Sequence, residues 1–172
     1  EFVSESDGWK NYKKSDRQKT VTVPYFIDYY PVSNVKLPFA YLLTLNDPRI
    51  AELLIYHGIK LEKLEDDMKI EVEQFDVTEL HAASRLNQGH YVNSIKGTSL
   101  DSTIVFPAGT LVIRMAQPLA NVAAYLLEPE SDDGLLTWNF LDRYLVPQWG
   151  RGFNPYPVSK IMKDTYLKTI PF

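Results

Sequence analysis

The 172-residue chain contains no cysteine. That excludes disulfides, thiolate zinc sites and cysteine nucleophiles, and it leaves the redox compartment open, because absence of cysteine suits oxidising and reducing spaces alike. Histidine is scarce, with three residues, His57, His81 and His90. Basic charge is not in excess: 18 Lys and Arg stand against 22 Asp and Glu, a formal net charge of −4. A general nucleic-acid binder usually shows a basic footprint, so none is expected as a partner. No apolar run approaches the ~18 residues of a membrane span, and no signal-peptide pattern opens the chain. The first residue is Glu1, as in a processed or excised fragment or after a cloning scar. Internal repeats and low-complexity tracts are also missing.

What is present favours β structure. The chain carries 11 Tyr, 8 Phe, 3 Trp and 11 Pro, a combination suited to strands punctuated by turns. Its length allows one domain that buries about 70% of its unfolded surface without staples. Residues 1–19 are polar without an apolar period and hold five basic residues between Lys10 and Lys19, so they read as a solvated linker or arm. Residues 20–172 read as a single β-rich domain.

Within that domain Val21, Val23, Tyr25, Ile27 and Tyr29 alternate, predicting a strand over Thr20–Tyr30 that Pro24 confines to an edge or bulge. Phe39–Leu45 is apolar on both faces apart from Thr44, predicting a central strand. Asp47 and Pro48 are a cap and first helical residue, Ile50, Leu53 and Leu54 form a stripe, and Gly58 stands at a left-handed terminus; together they predict a helix over Pro48–His57. Ile59–Leu64 alternates as a short strand. Met68, Ile70 and Val72 alternate next, and the phase then slips to Phe75 and Val77, predicting a bulge near Glu73–Gln74. Leu80–Gln88 reads as a connection. Strands are expected over Gly89–Ile95 and Leu100–Phe106 with a turn at Lys96–Ser99, then over Thr110–Met115, together a meander. Pro118 opens a second helix with Leu119, Val122, Ala123 and Leu126 on one face, which Glu128–Pro129 ends. Leu135–Leu141 predicts a third, short helix and Tyr156–Ile161 a last strand. The expected fold class is α+β and β-dominated: antiparallel, sandwich-like sheets with two or three short helices packed on them.

Candidate chemistry is thin. The residues three past His57, His81 and His90 are Lys60, Ser84 and Asn93, so no His-x-x-Glu zinc pair occurs, and neither does H-E-x-x-H. Each histidine reads first as a hydrogen-bonded structural residue. Glu128, Glu130, Asp132 and Asp133 could supply hard oxygen ligands, but they lack the spacing of a calcium loop and fit a helix-capping turn. A G-x-S-x-G elbow and a phosphate-cradling glycine loop are both absent. Aromatic residues gather near the C-terminus as Trp138, Tyr144, Trp149, Phe153, Tyr156 and Tyr166, with Trp9 and Tyr12 at the other end. Rings of this kind cover a core or form a ligand platform. No catalytic or metal-binding residue is assigned; the candidates for ligand or interdomain contact are Trp138, Trp149, Phe153, Tyr156, Asp132 and Asp133.

Three segments carry a family resemblance: AYLLTLNDPRIAELLIYHGIKLEKL (Ala40–Leu64), FPAGTLVIRMAQPLANVAAYLLEPESDDGLLTWNFLD (Phe106–Asp142) and, more weakly, YPVSKI (Tyr156–Ile161), with QGHYV (Gln88–Val92) a minor addition. They resemble the region downstream of the catalytic domain in bacterial zinc carboxypeptidases of the carboxypeptidase A type. The resemblance implies a secreted or periplasmic metallocarboxypeptidase as parent. This chain would be its non-catalytic accessory domain, with the peptidase domain of the same chain as partner and the zinc held there. It carries no catalytic residue and no cofactor onto this chain. An independent glycan- or peptide-binding module using the C-terminal aromatics is the alternative.

Overall fold

The computed structural model describes residues 2–6, 8–14, 16–31 and 34–172. Glu1, Asp7 and Ser15 of the polar arm, and residues 32–33 of the connection after Pro31, lie outside the described residues. The chain divides into two compact units, residues 1–34 and 35–172.

In the first unit β1 (Phe2–Ser6) pairs antiparallel with β2 (Trp9–Tyr12), so part of the polar arm is a small hairpin. The strand expected over Thr20–Tyr30 does not form. That stretch has no strand or helix, and Val21, Val23, Tyr25, Ile27 and Tyr29 are all exposed. Alternation supplies one apolar face, but a strand also needs a neighbour for its backbone N–H and C=O groups.

The second unit is built on one seven-stranded, wholly antiparallel sheet. Its strands are β3 (Ala40–Leu43), β4 (Glu62–Leu64), β5 (Met68–Ala82), β6 (Asn93–Phe106), β7 (Leu111–Arg114), β8 (Val158–Ile161) and β9 (Thr169–Pro171), in the order β6-β5-β8-β3-β7-β4-β9. Three short helices accompany it, α1 (Pro48–Tyr56), α2 (Ala120–Leu127) and α3 (Asp142–Leu145). The fold is therefore a mostly-β α+β fold. β3 lies at the centre and every one of its residues is buried, as its two-sided apolar sequence requires.

Alternate residues of the sheet feed two separate cores. Tyr41, Leu43, Ile113 and Val158 point into the larger one, beneath Ile50 and Leu54 of α1, Ala123 and Leu127 of α2, and Leu135, Leu136 and Leu145 beyond. Ala40, Leu42, Val112 and Ile161 point the other way, onto Leu64, Ile70, Val72, Phe106 and Leu167. No helix contributes to that second cluster, so distant strands of the same sheet must close over it.

This two-sidedness corrects the bulge expected at Glu73–Gln74. The β5–β6 register runs unbroken through that point, and the irregularity lies between Val77 and Glu79. Ile70 and Val72 serve the second core while Phe75 serves the first, so the change of apolar phase marks a change of buried face. The true bulge restores the face afterwards: Val77 and Leu80, three residues apart, both pack on the first core.

The turn expected at Lys96–Ser99 is also absent, because β6 is one continuous strand. Gly97 sits opposite Val77, and a Cβ there would come within 2.5 Å of the Phe75 ring and closer still to the Asp76 carbonyl oxygen. The glycine serves a close approach rather than a turn. The expected meander fails with it, since β7 pairs with β3 and β4 instead of β6. The connections 65–67 and 107–110 lie side by side, joined by Leu64 N–H to Thr110 O (3.0 Å) and Gly109 N–H to Leu64 O (2.8 Å). The β4–β7 pair thus runs on into the β5–β6 pair around a shared corner.

Leu135–Leu141, expected as a helix, is a run of turns. Its backbone bonds vary in span, as Trp138 to Gly134, Asn139 to Leu136 and Phe140 to Leu135, and Asn139 has φ +62°. The helix begins only at Asp142. Among the described residues no helix is long and apolar enough to cross a membrane.

Candidate functional site

Helix α1 anchors one wall of the site. Asp47 caps it, accepting from Arg49 N–H at 3.1 Å, and Pro48 occupies the first turn. Gly58, at φ +75°, ends it in the left-handed conformation that side chains avoid. Asp47 is also a charge hub. Its buried carboxylate accepts from Arg49 Nε (3.1 Å) and Nη2 (2.7 Å), Arg143 Nη2 (2.8 Å) and Tyr144 Oη (3.1 Å). The Arg49 guanidinium holds the carboxyl well below the usual carboxylate range, against the opposing effect of burial. The hub ties the start of α1 to α3.

Helix α2 and the turns after it supply the rest. Ala123, Ala124, Leu126 and Leu127 bury one side of α2, which leaves Tyr125 outward. Its hydroxyl donates to Asp132 Oδ1 at 2.6 Å, and that bond raises the tyrosine's pKa. Trp138 Nε1 donates to Asp133 Oδ1, and its ring stacks on His90 with centroids 4.5 Å apart and planes 26° apart. His90 is steadied by Asn139 Oδ1, which accepts from Nδ1 at 2.8 Å. Leu53, His57, Val122, Tyr125, Asp133, Leu135, Trp138 and Phe140 line a cleft of about 390 Å³, within the size range of small-ligand pockets.

Of the six residues proposed from sequence for contact, the structure brings three to this place: Asp133 and Trp138 in the lining, and Asp132 through Tyr125. Trp149 is exposed, and Phe153 is at the margin of exposure. Tyr156, a candidate for ligand or interdomain contact, is a core residue at 1% exposure. Its ring meets Phe75 edge-on, and its backbone N–H donates to Phe75 O at 2.9 Å. The proline-flanked segment leads straight into β8, which carries the ring inward. Sequence reasoning missed Tyr125, whose signal was its position off the apolar stripe of α2, and it missed His57 as a cleft residue.

The acidic group also separates. Glu128 is buried, accepting from Tyr41 Oη at 2.6 Å and lying 3.5 Å from Lys160 Nζ. Lys160 also pairs with Glu73 at 2.7 Å. Burial opposes ionisation of Glu73, yet the Lys160 ammonium still brings its pKa below the ordinary value. Burial and then the Glu128 carboxylate push the Tyr41 hydroxyl far above its usual range. Each histidine has its own local partner: His57 Nδ1 donates to Leu53 O (2.8 Å), His81 Nε2 to Glu79 (2.7 Å) and His90 to Asn139. Among the described residues no group of three or more His, Cys, Asp or Glu is placed to hold a metal ion.

No protein-family profile matches the chain, and neither does any solved structure. Three fungal proteins are similar to it. Carboxypeptidase 2 of Trichophyton rubrum is 28% identical over 121 residues, which cover 67% of this chain and 22% of that protein. The Carboxypeptidase 2 proteins of Trichophyton tonsurans and Trichophyton equinum are each 27% identical over 104 residues, 60% of this chain and 19% of theirs. The relatives are fungal, where the resemblance in the sequence named bacterial enzymes. The chain is thus similar to a region that makes up about a fifth of those carboxypeptidases.

Proposed function

We propose that this chain is the non-catalytic, C-terminal accessory domain of a zinc carboxypeptidase that works outside the cytoplasm. It packs on the peptidase domain of the same parent and shapes substrate access to its cleft. The observation that carries the reading is the proportion of the match: most of this chain corresponds to a small share of proteins named carboxypeptidase.

The test compares the isolated 172-residue chain with a parent protein that includes the peptidase domain. Zinc content and release of C-terminal amino acids are measured in both. Metal and turnover only in the longer protein are expected, together with an altered KM when residues 35–172 are deleted from it. Stoichiometric zinc or turnover in the isolated chain would overturn the non-catalytic role. An unchanged KM after the deletion would overturn the role in substrate access.

The second reading, an independent binding module for peptide or glycan, draws on the cleft walled by Tyr125, Trp138 and Phe140. Deletion would then leave turnover of small substrates unchanged and abolish retention of the parent on an immobilised polymer.

A further inference from the structure

Tyr125 and Trp138 give their polar hydrogens to carboxylates, Asp132 and Asp133. Among the described residues neither aspartate forms an ion pair with a lysine, arginine or histidine. A neutral donor satisfies a carboxylate's hydrogen-bonding geometry and leaves its charge uncompensated. The same hydrogen bond draws electron density into the donating ring, which makes the ring face a better partner for a cation. It also fixes the ring's orientation, and His90 stacked on Trp138 fixes that ring again. Asp133 lines the cleft, Asp132 precedes it in the chain, and Phe140 adds a third aromatic wall.

An apolar ligand would gain from the rings alone. A cation with an apolar stem gains from the rings, from the aliphatic side chains of Leu53 and Val122, and from the exposed carboxylate of Asp133 in the lining with that of Asp132 beside it in the chain. We propose that this cleft binds an organic cation, and that the arginine side chain is the class it fits best. A guanidinium is planar, so it stacks on an aromatic face, and its forked donors match a carboxylate edge. Its three-methylene stem would lie along Leu53 and Val122. This site stands apart from the accessory role, because it needs only the isolated chain.

The experiment follows the indole N–H signal of Trp138 by NMR in the full chain, assigned with Trp138→Phe. The probes are Nα-acetyl-arginine methylamide and its citrulline counterpart, which is nearly the same shape and neutral. A short peptide with one internal arginine distinguishes a peptide source from the free amino-acid derivative. The arginine probe should shift the signal saturably, and citrulline should bind about tenfold more weakly or worse. Asp133→Asn keeps an acceptor for the indole, so the fold should survive while arginine binding falls by about tenfold. Asp132→Asn should weaken it as well, and added salt should weaken the wild-type interaction. Equal binding of citrulline and arginine would overturn the proposal. So would full arginine binding by both asparagine variants, or no saturable shift up to about 100 mM probe, a concentration beyond any specific pocket of this kind.

Discussion

Tyr156 and Gly97 show how much a single side chain depends on its surroundings. Among the described residues the buried Tyr156 hydroxyl has no hydrogen-bond partner, and burial followed by the nearby Glu128 carboxylate drives its pKa far upward. A lone buried hydroxyl costs desolvation free energy that no bond returns. Tyr156→Phe should therefore leave stability unchanged or raise it by about 1 kcal/mol in urea denaturation; a clear loss would reveal a partner for the hydroxyl. Gly97→Ala should cost roughly 1–3 kcal/mol, because the new methyl meets backbone at Asp76 as well as the Phe75 ring. Phe75→Leu should recover part of that loss in a double mutant if ring contact contributes. The sequence marked both residues without placing them: an aromatic ring can cover a core or line a contact surface, and a glycine among Lys, Thr and Ser looks like a turn. Which strand lies across from them is not encoded locally.

Elements joined by charge behave differently from elements joined by apolar stripes. Lys160 of β8 is flanked by Glu73 of β5 and by Glu128 just past α2, with the Lys160 and Glu128 side chains about nine-tenths buried. Lys160→Met should cost about 3 kcal/mol or more, because it leaves two carboxylates facing one another in a buried place. Adding Glu73→Gln and Glu128→Gln to that variant should restore much of the loss in the same unfolding assay. The α1 hub carries a pH signature. Asp47 is depressed below its unfolded value, so the unfolded state binds more protons as pH falls. Its stabilisation is complete above about pH 5 and drains away as the pH drops through the unfolded value near 4 toward the lower folded one. Asp47→Asn should flatten the stability profile between about pH 5 and 2, with circular dichroism as the readout; an unchanged slope there would refute the hub. The cap itself was readable in Asn46-Asp47-Pro48, since capping is local. The engagement of Arg143, 96 residues away, was not.

At the scale of the whole molecule, the chain has two units, an N-terminal one that holds the β1–β2 hairpin and a second built on the seven-stranded sheet. Residues 20–31 expose Tyr25, Phe26, Ile27, Tyr29 and Tyr30 without a strand or helix. Limited chymotrypsin treatment should cut among these residues before it cuts anywhere in 35–172, leaving a resistant fragment that mass spectrometry will identify. Early cleavage inside the β5–β6 hairpin would contradict that ordering. For this chain to serve as an accessory domain, the resistant fragment must be the part that alters peptidase KM.

Local rules sufficed wherever a decision was local. The cap and terminus of α1, the end of α2 at Glu128–Pro129, the two-sided burial of β3 and the dominance of β structure all follow from neighbouring residues, and so does the absence of thiol chemistry. Alternation in β5 was equally visible, but its meaning was not, because a period of two says which residues share a face and not which face is covered. Only the packed sheet decides that, by bringing β8 against residues 73–74 and closing two cores on opposite sides. The cleft is settled the same way. Asp133 and Trp138 are five positions apart in a turn, but Leu53 of α1 and His57 just past its end complete the lining only after both helices dock on one core. Sequence fixes what each segment prefers, while long-range burial selects which preferences are honoured, since the apolar area removed from water outweighs local propensity.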